Sequence, residues 1–303
     1  MATAPSSPTA RRWELAARLR QLRVEAGKSI EEAAAELMCS AAKISRMETG
    51  GRGVLPRDVR DLCRLYGVAD ETRDNLIKLA AESKKPGWWQ DFRTLPEMVA
   101  TYVGLEAAAS VERTLETRVV PGLLATTDYA RLLLTGLRPL EQRVPGEVDD
   151  LLVSRERRQL RLLDGSLEYS AILDQAVLAR DFGAPAVMLD QVDHLLEVAE
   201  WPNVSVRVVP FGSPPYAGID GSFIYLGFDN PAISDVIYVE GMLGNYILDR
   251  PSDVDRYVVA YQDTLDRVTL SPGETVTWLK GFRDSIASGQ GAGAKASPRK
   301  RSS

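Results

Sequence analysis

Ser29-Ile30-Glu31-Glu32-Ala33-Ala34-Ala35-Glu36-Leu37-Met38-Cys39-Ser40-Ala41-Ala42-Lys43-Ile44-Ser45-Arg46-Met47-Glu48-Thr49-Gly50 is the stretch that decides how this chain begins. Ser29 with Glu32 three residues on is a capping box, hydroxyl and carboxylate each satisfying an orphan amide where a helix starts. Ser40 can cap a second helix, and Gly50 ends it because glycine tolerates positive φ. The few residues between the two force a sharp crossing. Ala33, Ala34 and Leu37 make one inner face, Ile44 and Met47 the other. This spacing predicts a helix-turn-helix, the arrangement that places its second helix in the major groove of DNA.

Outward from that stretch, residues 11–26 read as a first helix with Leu15, Leu19 and Leu22 on one face. Gly51-Arg52-Gly53 reads as a flexible basic loop. Pro56 opens a fourth helix, with Val59, Leu62, Cys63 and Tyr66 inward, and residues 70–82 form a fifth. Leu19-Arg20-x-Leu22-Arg23, Gly27, the capped helix and Lys43-Ile44-Ser45-Arg46-Met47-Glu48-x-Gly50 together resemble the Cro/C1-type (XRE) repressor domain, a lambda-repressor-like bundle. The resemblance implies that Arg23 pairs with Glu48, and that Ala41 and Ala42 face the groove. Ala33 stands where that family usually has leucine.

Roles at a DNA contact follow from side-chain chemistry. Ser40 and the free amides behind it can hold a phosphate. An alanine methyl at Ala41 or Ala42 can meet a thymine methyl, and Arg46 can take guanine O6 and N7 bidentately. Lys43, Ser45 and Arg52 are placed for phosphate. The alternative for Arg46 is an ion pair with a neighbouring carboxylate.

The net charge of −5 speaks against nucleic acid until it is divided. Residues 1–60 hold 11 Lys+Arg against 7 Asp+Glu, and the remainder 26 against 35. A basic module on an acidic body fits a DNA reader with a separate effector or partner domain. No apolar run approaches the roughly 20 residues that span a bilayer, and no signal core opens the chain, so a cytoplasmic, nucleoid-associated protein is expected. Two cysteines, Cys39 and Cys63, read as reduced thiols.

Beyond Lys84-Lys85-Pro86-Gly87 the pattern changes. Helices are expected over 98–116, 127–134, 148–163, 186–200, 252–268 and 273–286, and strands over 167–173, 204–209, 222–228 and 236–240. The fold class expected is an all-α helix-turn-helix bundle followed by an α+β domain. By residue, the organisation is a disordered N-terminus (1–10), the DNA-binding domain (11–83), a linker (84–97), a regulatory or partner-binding domain (98–286) and a disordered basic tail (287–303). Trp88-Trp89, Leu105-Glu106, Val120-Pro121-Gly122-Leu123-Leu124, Asp128-Tyr129-Ala130-Arg131, Leu173-Asp174 and Gly221-Ser222-Phe223 resemble the domain of unknown function that follows such a head in actinobacterial WhiJ-like regulators. That resemblance implies a transcriptional regulator, often encoded beside a small partner protein in an antitoxin-like arrangement.

No catalytic residue set, metal site or cofactor is expected. His194 with Asp190 lacks a third ligand, and no nucleophile or phosphate-loop pattern is recognisable. Residues 211–220 either line a pocket or form a packed crossover. The arginines at 155, 157, 158 and 161 read as a solvated face or a site for an acidic partner. Trp88-Trp89 reads as an anchor for the linker. The function expected is sequence-specific transcription regulation, as a homodimer on duplex operator DNA, with the second domain sensing a small partner protein or ligand. The alternative is an antitoxin-like protein that neutralises a neighbouring gene product, DNA binding then serving autoregulation.

Overall fold

The computed structural model describes residues 7–92, 94–136, 146–180 and 182–289. Five helices build the head: α1 (Pro8–Glu25), α2 (Ile30–Glu36), α3 (Ala41–Glu48), α4 (Pro56–Leu65) and α5 (Asp70–Glu82). Both halves of the Ser29/Glu32 capping box form, at 3.1 and 2.8 Å. Ser40 accepts the Lys43 amide at 3.2 Å and so starts α3. Leu15, Leu19, Ala33, Ile44, Met47 and Leu62 are buried together, and small Ala33 lets α2 and α3 cross closely. Gly50 takes φ +70°, with the Trp13 ring 3.0 Å from where a Cβ would stand.

Helix α1 starts earlier than the sequence predicts. Ser7 accepts the Ala10 amide as its cap and Pro8 fills the first turn, so residues 8–10, expected in a disordered N-terminus, belong to the helix. Residues 1–6 and 290–303, also expected to be disordered, lie outside the described residues. The turn between α2 and α3 is closed by amides of Met38 and Cys39 bonding back to Ala35 and Ala34, at 3.1 and 2.9 Å. That Schellman arrangement puts Met38 at φ 46°, a conformation glycine usually supplies. Within the expected linker, residues 88–91 form a 3₁₀ turn with Trp89 buried against the body.

The body runs α6 (Glu97–Glu106), β1 (Val111–Glu116), α7 (Thr127–Gly136), α8 (Glu147–Leu163), β2 (Glu168–Asp174), α9 (Gln175–Ala179), α10 (Pro185–Val198), β3 (Val204–Val209), β4 (Phe223–Gly227), β5 (Val236–Gly241), β6 (Gly244–Leu248), α11 (Pro251–Arg267) and α12 (Pro272–Ala287). The single helix expected over 98–116 is overturned, because its second half is β1. Glu112, Thr114 and Glu116 occupy a face where a half-buried strand would show apolar residues, which hides the period of two. Strand β6 was not anticipated either; the exposed Met242-Leu243 tip joins it to β5.

One six-stranded sheet results, in the order β3-β2-β1-β4-β5-β6. Strands β1, β2 and β3 are parallel, whereas β4, β5 and β6 continue from β1 in antiparallel fashion. Both faces are covered. Tyr169, Ala171, Val206, Leu226 and Val236 pack on one side with residues of α6, α7, α8, α10 and α12. Leu115, Ile172, Phe223 and Ile237 pack on the other with Val254 and Tyr261 of α11. The fold is an all-α helix-turn-helix bundle followed by an α+β domain.

Head and body touch. The Ser7 hydroxyl donates to the Gly104 carbonyl, and Asn230 donates to Glu14 at 3.0 Å. Gly104 is where α1 and α6 meet: a Cβ there would lie 2.3 Å from the Thr9 hydroxyl oxygen. No described helix is long and apolar enough to cross a membrane.

Candidate nucleic-acid interface

The interface is built on α3, whose inner side is anchored by Ile44, Met47 and Glu48, all buried. Its outer side carries Ser40, Ala42, Ser45 and Arg46, all exposed, with Ala41 half-buried beside them. Among the described residues the Arg46 guanidinium has no ion-pair or hydrogen-bond partner, so the carboxylate pairing considered for it does not occur. Arg52 is exposed just beyond the helix, held there by its amide to the Arg46 carbonyl at 3.0 Å. One free guanidinium and one capped N-terminus thus share a face.

Lys43 sits differently from the sequence expectation. Its ammonium lies 3.2 Å from Asp58 on α4, and both side chains are mostly buried. The lysine ties α3 to α4 rather than standing free for a phosphate. The physical reason is Asp58, buried at the start of α4 and in need of a counter-charge.

Arg23 and Glu48 fix the angle at which α3 leaves the bundle. The guanidinium Nε donates to both carboxylate oxygens, at 2.8 and 3.1 Å, and Nη2 adds a third bond at 3.0 Å. Nη1 donates to the Lys28 carbonyl at 2.8 Å, pinning the loop before α2. The side chains are 12% and 4% exposed, so this is a desolvated, bidentate pair. It raises the Arg23 pKa chiefly through its hydrogen bonds to Glu48.

The body holds buried charge of another kind. Three of the arginines of α8, at 155, 158 and 161, turn inward, and Arg157 stays exposed. Arg158 donates to Glu106 from Nε at 2.9 Å and to the Tyr102 hydroxyl at 2.9 Å. Arg161 donates to backbone carbonyls, among them Ala109 at 2.7 Å. Arg155 reaches the Ala125 carbonyl and Thr127, whereas Arg157 lies over the Trp88 ring. Beside them stands a cavity of about 490 Å³, walled by β1, β4 and β5 on one side and by α7 and α8 on the other.

Glu112 and Glu116 of β1 both face this cavity, and sequence reasoning missed them. Had the stretch been tried as a strand, they would have stood out as acids on its inward side. Burial first, then the neighbouring Glu106 carboxylate, push Glu112 well above the usual carboxylate range, against the pull of Arg158 and Arg161. Burial raises Glu116 to about 7, with Ser222 and Arg118 opposing and Glu240 adding to the rise.

Other candidates fall elsewhere. Tyr216 anchors residues 211–220 by donating to Asp174 at 2.7 Å, and Gly218 packs on Leu115, while Phe211 stays exposed. Ala217 and Asp220 still line an open cleft against α11. His194 faces Glu197 at 3.8 Å, and burial lowers its pKa. Cys63 is buried, with its thiol pushed up to about 11 by desolvation, and Cys39 is half-buried; both are free thiols.

Residues 14–76 match a helix-turn-helix domain, which places α1 to α5 in a class that binds DNA and regulates transcription. Residues 99–281 match the domain of unknown function DUF5753. That match spans more than half of the 303 residues, and the chain belongs to that family. Comparison with curated proteins finds no match. Comparison with solved structures finds none either.

Proposed function

We propose that this chain is a Cro/C1-type transcription regulator of the WhiJ-like group. It docks α3 in the major groove of an operator as a homodimer in the cytoplasm, and its body senses a small partner protein or ligand. No catalytic step belongs to this reading. The observation that supports it most is the free Arg46 guanidinium on the exposed side of a capped helix whose other side is locked in the bundle. One head buries little surface on DNA, so two half-sites read by a symmetric pair supply the affinity.

Arg46 supplies base discrimination, while Ser40, Ser45, Arg52 and the α3 amides hold phosphates. Alanines 41 and 42 offer only methyl contact, so DNA shape shares the reading. The test is selection of duplexes from a random pool by the full chain, followed by titration of winner and random duplexes. Arg46→Ala is expected to weaken the winner by about 1–3 kcal/mol and spare random duplex. Arg52→Ala should weaken both alike and flatten the salt dependence by about one ion. Absence of any duplex binding at low ionic strength overturns the reading, and equal losses for both variants overturn the division of roles. Lys43→Ala is a poor probe, because it leaves buried Asp58 only the exposed Arg57 as counter-charge.

A further inference from the structure

The body's cavity carries two acids that the chain answers only in part, Thr114 donating to Glu112 Oε1 at 3.4 Å. Glu112 is 1% exposed, yet its Oε2 has no hydrogen-bond partner; Glu116 Oε2 is buried and equally without one. Both residues line the same cavity from the same face of β1. A buried carboxyl oxygen left unpaired is costly, more so if ionised, so two in one cavity mark a place kept for donors. The arginines lining the inner wall are largely committed: Arg158 holds Glu106 and Tyr102, and Arg155 holds Ala125 and Thr127 through its terminal nitrogens. The unmet demand on the sheet side is therefore for positive charge and N–H groups.

The position agrees. The cavity extends past the carboxyl end of β1, beside the junction of the parallel strands with antiparallel β4, where open α/β sheets bind ligands. The wall opposite the acids is apolar, with Val120, Leu133, Leu134, Leu151 and Phe182. Its volume of about 490 Å³ suits one small organic molecule.

We propose that this cavity binds an amphipathic organic cation, an amine or guanidinium on an apolar body, with a nitrogen at Glu112 or Glu116 and its body against Leu134 and Phe182. Arg155 Nε, also unpartnered, accommodates one acceptor on the same ligand. Exposed Arg118, Arg180 and Glu240 stand at the mouth. The inference deepens the sensor reading above and rests on it only for the consequence that occupancy alters DNA binding.

Calorimetric titration of the full chain with phenethylamine, 1,8-diaminooctane and the acid isostere 3-phenylpropionate tests it. At least one amine is expected to bind and 3-phenylpropionate is not. Glu112→Gln and Glu116→Gln should each weaken the amine tenfold or more. Leu134→Trp, which fills the apolar wall without touching either acid, should abolish binding and serves if the acid variants fail to fold. Around Glu116, a carboxyl raised to about 7 and so titrating between pH 6 and 8, stand Arg118, Ser222, Glu240, Tyr129 and Tyr169, and in the same cavity Glu112, itself pushed well above the usual carboxylate range. Amine affinity should accordingly rise about tenfold over that range in the native chain, and Glu116→Gln should flatten that rise. Failure of both amines to bind, tighter binding of the acid, or amine binding indifferent to all three substitutions overturns the proposal. Because these titrations contain no DNA, such a failure leaves the head's operator binding standing. Duplex binding unchanged by a bound amine removes the sensor role and leaves the cavity assignment intact.

Discussion

The head and the body each bury an arginine against a glutamate, and the two burials differ in what surrounds them. In the head, Arg23 and Glu48 exhaust one another through three bonds, and the remaining guanidinium nitrogen is used on Lys28. In the body, Arg158 satisfies Glu106 while Glu112, close enough to feel both, keeps an oxygen with no donor. The same chemistry is closed in one place and open in the other. A closed pair sets geometry; an open one asks for something from outside the chain.

The contrast is sharpest where one partner is removed. Glu48→Ala leaves a buried guanidinium without its counter-charge, and the head is expected to lose about 3–5 kcal/mol in urea unfolding followed by the α-helical signal. A loss below about 1 kcal/mol would mean that the pair behaves as a surface bridge.

In the body the corresponding measurement is against pH. The folded pKa of Glu116, about 7, stands above its ordinary value of 4.5, so the folded chain binds the proton more tightly than the unfolded one. Stability from this group is full below the ordinary value and lost as pH rises through 7. Two and a half pKa units correspond to about 3 kcal/mol. Glu116→Gln is expected to remove that slope from thermal melts between pH 4.5 and 8. An unchanged profile would show that the acid is solvated and the cavity closed to it.

Smaller effects test the local signals of the head. Ser40→Ala should cost about 1 kcal/mol through the lost cap of α3. Met38→Gly should gain about 0.5 kcal/mol, since relief of left-handed strain exceeds the freedom that glycine brings to the unfolded chain. Both are read from chemical denaturation, and a gain for Ser40→Ala or a loss for Met38→Gly would mean that the turn between α2 and α3 is held by other forces.

The same contrast explains what the residues revealed in advance. The Ser29 box, the Ser40 cap and the apolar faces of α2 and α3 are local rules, legible because each signal lies within four residues of its partner. Strand β3 was equally legible, since Val204, Val206 and Val208 alternate with Ser205 and Arg207. Strand β1 was not. Its Glu112 and Glu116 point inward, and α8 and β4, distant in sequence, together with α6, make that tolerable. Lys43 was misplaced for a similar reason: Asp58 lies 15 residues further on. The inward turn of the α8 arginines likewise depends on Glu106 and on carbonyls of a different element. Local pattern exposes scaffolding; sites assembled from remote pieces break the pattern and so escape it.

The contact of Gly104 with Thr9, which leaves no room for even a methyl group, bears on how such regulators can be recombined. A head grafted from another chain would seat on this body only if it brought an equally small threonine-sized neighbour and a hydroxyl to replace Ser7. What reads along the chain as two interchangeable modules is, at that crossing, a matched set.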